Sequence, residues 1–152
     1  MIEINLPEET KALIDGTVFD LDNNIDDTLL AKFLFYCPTI IREYGLAIAE
    51  LRRQKRSIES KILLLDFKLE HLEAKILLDL DVTQYKNESL RSAAVTDNDD
   101  VRMVKDQIVH KKREILDLDS DVDELTEAYW SFKALKDSLE SITKLRISEK
   151  TF

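Results

Sequence analysis

Apolar residues recur every seven positions along two stretches of this chain. In the first, Tyr44, Leu51, Ile58, Leu65 and Leu72 form one column, and Ile48, Ile62, Leu69 and Ile76 form another four residues on, with Lys55 as the intruder. In the second, Val101, Ile108, Ile115, Val122 and Tyr129 form one column, and Val104, Leu118, Leu125, Phe132 and Leu139 the other, with Lys111 intruding. Apolar positions at a and d over about five heptads predict helices packed along a narrow seam. Such a seam suits a partner helix and leaves little room for an enzyme pocket.

Pro38 divides the first part of the chain from the long heptad stretch. The residue before a proline resists the α conformation, so a boundary is expected near Cys37. Residues 1–37 then read as an N-terminal helical segment and residues 38–152 as a long helical hairpin and oligomerisation region. Within the first part, Pro7 with Glu8 and Glu9 suits the start of a short helix through Ile14, stopped by Gly16. Asp26 or Asp27 can cap a second helix carrying Leu29, Leu30, Phe33 and Phe35. A long helix is expected from Thr39 to Leu80, spanning on the order of 60 Å at ~1.5 Å per residue. Gly45 is a weak spot within it.

Residues 81–98 interrupt the heptads, with a short helix expected over Ser89–Val95. Asp97 is the expected N-cap of the last helix, with Asp99 and Asp100 in its first turn. That helix is expected from Asn98 to about Leu145. A connection this short folds two long helices back as an antiparallel hairpin. Were the turn near residue 89, Lys55 would fall level with Asp121 to Glu124. The fold expected is thus all-α, a long antiparallel coiled-coil-like hairpin with a small N-terminal helical segment. Leu63, Leu64 and Leu77 lie off the first seam, and Trp130, Leu135 and Ile142 off the second. This leftover apolar surface predicts homo-oligomerisation, with a monomeric bundle closed by the N-terminal helix as the alternative.

Composition sharpens this picture. Two Gly and two Pro in 152 residues are too few for a fold of many turns. Charged residues reach 35%, typical of long solvated helices. The net charge of −9 comes from 31 acidic and 22 basic residues, which favours solubility and argues against nucleic-acid binding by total charge. The acidic first residues, MIEINLPEE, do not read as a signal peptide, so none is expected, and no apolar run approaches the ~20 residues of a membrane span. A soluble cytoplasmic protein with no membrane contact is expected. Cys37, the single cysteine, sits among Phe33, Phe35 and Tyr36 and reads as a buried hydrophobe rather than a nucleophile.

Few constellations suggest chemistry. Asp117, Asp119, Asp121 and Asp123 alternate, as do Asp20, Asp22 and Asn24, but both runs lack the turn glycine and bidentate glutamate of a calcium loop. His71 and His110 have no Glu or His at metal-binding helical spacing. No phosphate loop or nucleophile elbow is present. These readings predict a protein without catalytic activity, metal or cofactor. Arg52, Arg53, Lys55, Arg56 and Lys61 concentrate on one stretch, and Lys111, Lys112 and Arg113 on another. Such patches can track a phosphate backbone, or pair with acidic neighbours.

Three segments together carry a family resemblance: FDLDNNIDDTLLAKFLFY, YGLAIAELRRQKR, and KNESLRSAAVTDNDDVRMVKDQIVHKKREI followed by heptads to SFKALKDSLESI. They cover most of the chain, which resembles the phage recombination-mediator family typified by UvsY. The resemblance implies a non-enzymatic, ring-forming helical protein in the host cytoplasm. It would bind single-stranded DNA, help displace single-strand-binding protein, and load a RecA-like recombinase. By position, Arg52, Arg53, Lys55, Arg56 and Lys61 take the DNA-contact role, and Tyr129, Trp130, Phe132, Leu135, Leu139 and Ile142 the assembly role. The alternative is a structural or protein-binding coiled-coil scaffold or assembly chaperone without DNA binding.

Overall fold

The computed structural model describes residues 27–81 and 83–150, with Leu29 and Lys150 described by backbone only. The described residues form three helices and no strand: α1, Asp27–Asp79; α2, Glu88–Thr96; and α3, Asp99–Lys150. The fold is all-α, and α1 and α3 form a long antiparallel hairpin. The N-terminal features expected at Pro7–Ile14, Gly16, Asp20–Asn24 and Asp26 lie outside the described residues.

The break expected at Cys37 is absent: α1 runs through Pro38 without ending. A proline inside a helix loses one backbone hydrogen bond and crowds the preceding turn. Burial on both sides of it offsets that cost. Phe33, Cys37 and Ile40 are each within 1% of full burial, while Pro38 itself faces outward. Fully burying a side chain such as Phe or Ile contributes ~1.5–3 kcal/mol.

Packing divides the described residues into two units, one of α1 up to Leu51 with α3 from Asp121 onward, the other of Arg52–Ser120. In the first, Leu30, Phe33, Cys37 and Leu139 form a buried cluster, with Leu34, Phe132, Leu135 and Ile142 packed against it. The Phe33 and Phe132 rings lie 5.4 Å apart, and Tyr44 stacks obliquely at 6.5 Å from Phe132. The Arg146 guanidinium bonds the Asp27 carboxylate at 2.8 Å. Along α1 the inward positions run Leu30, Phe33, Cys37, Ile40, Tyr44, Ile48, Leu51. The spacing alternates three and four until Tyr44, where two steps of four follow each other. This is a stutter, which locally unwinds the supercoil. On α3 the heptads run on without such a step.

In the second unit, Ile58, Ile62, Leu65, Leu69, Leu72 and Ile76 of α1 face α3 half-buried, while Val101, Val104 and Ile108 of α3 are buried. Val95 of α2 is buried as well. The connection is held by side-chain caps. Thr83 donates to Asp81 Oδ1 from its backbone N–H at 2.8 Å and from its hydroxyl at 2.7 Å. These bonds, the hydroxyl's first, hold the Asp81 carboxyl below its ordinary value. Asn87 Oδ1 accepts from the N–H of Leu90 at 2.9 Å and so caps α2. The Arg91 Nε donates to the Tyr85 carbonyl at 3.0 Å. Asn98, not Asp97, caps α3: its Oδ1 accepts from Asp100 N and Val101 N. Asp97 is the C-cap of α2, in helical geometry, and its carboxylate takes the Arg102 guanidinium at 2.7 Å. It therefore lacks the extended backbone that an N-cap requires.

Candidate nucleic-acid interface

The five basic residues placed in the DNA role all stand on α1 within Arg52–Ser120. They separate into two kinds. Arg52, Arg53 and Arg56 are exposed, and their spacing puts them on one helix face within little more than a turn. Lys55 points to the seam instead. Its Nζ reaches both carboxylate oxygens of Asp119, at 2.6 and 2.8 Å. Its position in the apolar column explains this, since a long side chain at a core position of a hairpin can reach a carboxylate on the facing helix.

Lys61 is exposed and close enough to α3 for its charge to act on Glu114. Glu114 lies among three basic residues, Lys111, His110 and Lys61. Lys111 donates to it at 2.5 and 2.8 Å, and His110 Nε2 stands 3.3 Å from it. The Lys111 hydrogen bond above all holds the Glu114 carboxyl below the ordinary glutamate range; desolvation opposes it, and the nearby Lys111, His110 and Lys61 add to the lowering. Lys111 thus mirrors Lys55, an intruder in the heptads neutralised by a carboxylate. Lys112 and Arg113 beside it are exposed. The second basic patch of the sequence therefore comes near the C-terminal end of the first, around a single glutamate.

The residues assigned to assembly stand mostly inside the chain's own core. Leu139 is fully buried, and Phe132, Leu135 and Ile142 pack on Leu30, Phe33 and Cys37. Their apolar surface is covered by the N-terminal part of α1, because the helix does not stop at Pro38. Trp130 remains exposed at 57%, edge-on to Tyr129 and with the Lys133 ammonium 4.9 Å from its ring. Cys37 is enclosed in the same cluster, and burial pushes its thiol up to about 11, with the Lys136 charge acting in the opposite sense.

Two features escaped the sequence reading. An open groove of about 560 Å³ lies where the end of α1 meets α2, lined by Glu73, Leu77, Glu88, Arg91, Val95 and Lys105 among others. Two of its lining residues, Lys105 and Glu73, form an ion pair 2.9 Å long. The exposed apolar run of α1 also extends beyond the three leucines singled out, to Phe67 and Leu78. Its heptad spacing was the available signal. Among the described residues no group of three or more His, Cys, Asp or Glu is placed to hold a metal ion, and no helix is long and apolar enough to cross a membrane. Asp117, Asp119, Asp121 and Asp123 are all helical, on α3. Comparison with protein-family models, curated proteins and solved structures finds no match.

Proposed function

We propose that this chain is a non-enzymatic, homo-oligomeric recombination mediator that holds single-stranded DNA and loads a RecA-like recombinase in place of single-strand-binding protein. The supporting observation is the outward cluster of Arg52, Arg53 and Arg56 on one face of α1. Guanidinium groups spaced along a helix can each meet a backbone phosphate, and no base need be read. Lys55 contributes to the hairpin seam rather than to DNA, so the contact set narrows to the three arginines with Lys61 at its edge. A weak patch gains strength when several copies engage one strand together.

Fluorescence anisotropy with labelled oligonucleotides tests this. Binding to single-stranded DNA should weaken steeply with salt, with a log–log slope of roughly −2 per chain for three phosphate contacts. The triple variant Arg52→Glu, Arg53→Glu, Arg56→Glu should lose binding and keep its helical signal. Absence of binding by the wild-type chain at low salt sinks the reading.

One observation favours a second reading, a protein-binding scaffold or assembly chaperone without DNA contact. Leu63, Leu64 and Phe67 are each more than half exposed, and the chain carries a net charge of −9. Exposed contiguous apolar side chains mark protein interaction surfaces. Under this reading the arginine variant would leave the chain's partners bound.

A further inference from the structure

The exposed stripe of α1 places its leucines symmetrically about its centre. Three columns seven residues apart stand on the face opposite the seam: Leu63–Glu70–Leu77, Leu64–His71–Leu78 and Phe67–Ala74. Every one of these residues is exposed, with the five large apolar side chains between 48% and 85% accessible. Reversed about the point between Glu70 and His71, the leucines of the stripe map onto leucines and its other positions onto residues of different size or polarity. Leu63 exchanges with Leu78, Leu64 with Leu77, Phe67 with Ala74, and Glu70 with His71.

We infer that this face pairs two copies of the chain, antiparallel and about a two-fold axis that passes between Glu70 and His71. A two-fold interface requires one patch to be its own complement: where residue i meets residue j of the second copy, j meets i. The stripe meets that condition in apolarity, in size and in hydrogen bonding, since an imidazole N–H can donate to a carboxylate. Leucine faces leucine at both ends. The large Phe67 faces the small Ala74, as interdigitating packing requires. At the centre each Glu70 faces a His71, so the two ionisable residues meet complementary partners.

Other alignments of the same stripe are poorer. A parallel pairing sets Glu70 on Glu70 and His71 on His71, like against like. An antiparallel pairing slipped by one heptad sets Phe67 on Phe67 with Glu70 on Leu64, or Ala74 on Ala74 with Glu70 on Leu78. Each strands a carboxylate on leucine. The proposed register also runs out before Arg52, Arg53 and Arg56, which remain outside the contact. Five side chains this exposed offer on the order of 500 Å² per copy, so a pair buries about 1,000 Å², the lower bound of a specific interface. The pairing does not depend on the DNA reading, nor on the Trp130 face.

Sedimentation velocity of the full chain over a concentration series tests it. The wild-type chain should show a reversible twofold step in mass. Leu64→Glu with Leu78→Glu should remove that step while far-UV circular dichroism is unchanged, because neither side chain faces α3. Phe67→Ala alone and Ala74→Phe alone should each weaken pairing at least tenfold. The double variant Phe67→Ala, Ala74→Phe should return it to within about threefold of wild type, since the large and small partners have merely traded places. A wild-type chain with no twofold step, or a step that survives Leu64→Glu with Leu78→Glu, overturns the interface. Failure of the exchanged pair to recover overturns the proposed register.

Discussion

Lys55 of α1 and Asp119 of α3 are joined by two hydrogen bonds, at 2.6 and 2.8 Å, across the hairpin seam. Both side chains retain solvent contact, which limits the pair to ~1 kcal/mol. Lys55→Leu should therefore alter stability by less than about 1 kcal/mol, since a well-packed apolar residue can replace an ion pair. Lys55→Glu should cost about 1–2 kcal/mol, because two carboxylates then meet. Urea denaturation distinguishes the two. Lys55→Leu should also leave affinity for single-stranded DNA within twofold; a tenfold loss would return Lys55 to the DNA contact.

Acid should loosen the Lys111–Glu114 link. The folded state holds the Glu114 carboxyl below its ordinary value of 4.5, chiefly through the Lys111 hydrogen bond. A carboxyl depressed on folding contributes stability that is complete above its unfolded value and is lost as pH falls through the folded one. The contribution of Glu114 should thus be intact at neutral pH and vanish below the ordinary glutamate value. Side-chain carboxyl NMR gives its midpoint directly. In Lys111→Gln that midpoint should move up toward 4.5; an unmoved midpoint would assign the depression to another group.

The Cys37 thiol should be inert while the chain is folded. Enclosure with Phe33 and Leu139 raises it to about 11, so at pH 8 the reactive thiolate is scarce as well as inaccessible. Reaction with a disulfide reagent should be at least a hundredfold slower in buffer than in urea. Equal rates would show that α1 opens around Pro38 far more often than its burial implies.

Backbone substitutions in α1 should stabilise it. Gly45 sits mid-helix with nothing within 4 Å of where a Cβ would stand, so Gly45→Ala should add ~0.5–1 kcal/mol. Pro38→Ala restores a donor within the same helix and should add about 1–3 kcal/mol. Thermal unfolding followed at 222 nm measures both. A fall in the midpoint for Pro38→Ala would mean that the buried cluster depends on the proline's local geometry.

The hairpin was legible in the sequence because heptads record packing directly. Even the register came within a few residues: Lys55 was expected opposite Asp121 to Glu124 and meets Asp119. The short helix after the turn also stands where its leucine, alanines and valine placed it, at Glu88–Thr96. Pro38 misled because local propensity is a weak prior against tertiary burial, and the buried Phe33, Cys37 and Ile40 decide the outcome. That one continuation also accounts for Leu135 and Ile142, which lie off the second seam and pack on the N-terminal part of α1, whereas Trp130 stays exposed. At the candidate site, the arginines and lysines of one cluster looked equivalent as a list. Only the facing helix shows that Lys55 is engaged, because a carboxylate sixty-four positions away leaves no local signature.

The double step of four at Tyr44 and Ile48 gives α1 a place to relax torsion. Elsewhere the heptads of both helices call for the same left-handed winding. At the stutter the demand on α1 drops while α3 continues unchanged, and Gly45 there adds backbone freedom with no side chain to restrain it. Twist forced on the first unit should therefore concentrate between Tyr44 and Ile48. This short stretch acts as a compliant joint, and its amides should exchange with solvent ahead of those around Ile40 and Leu51.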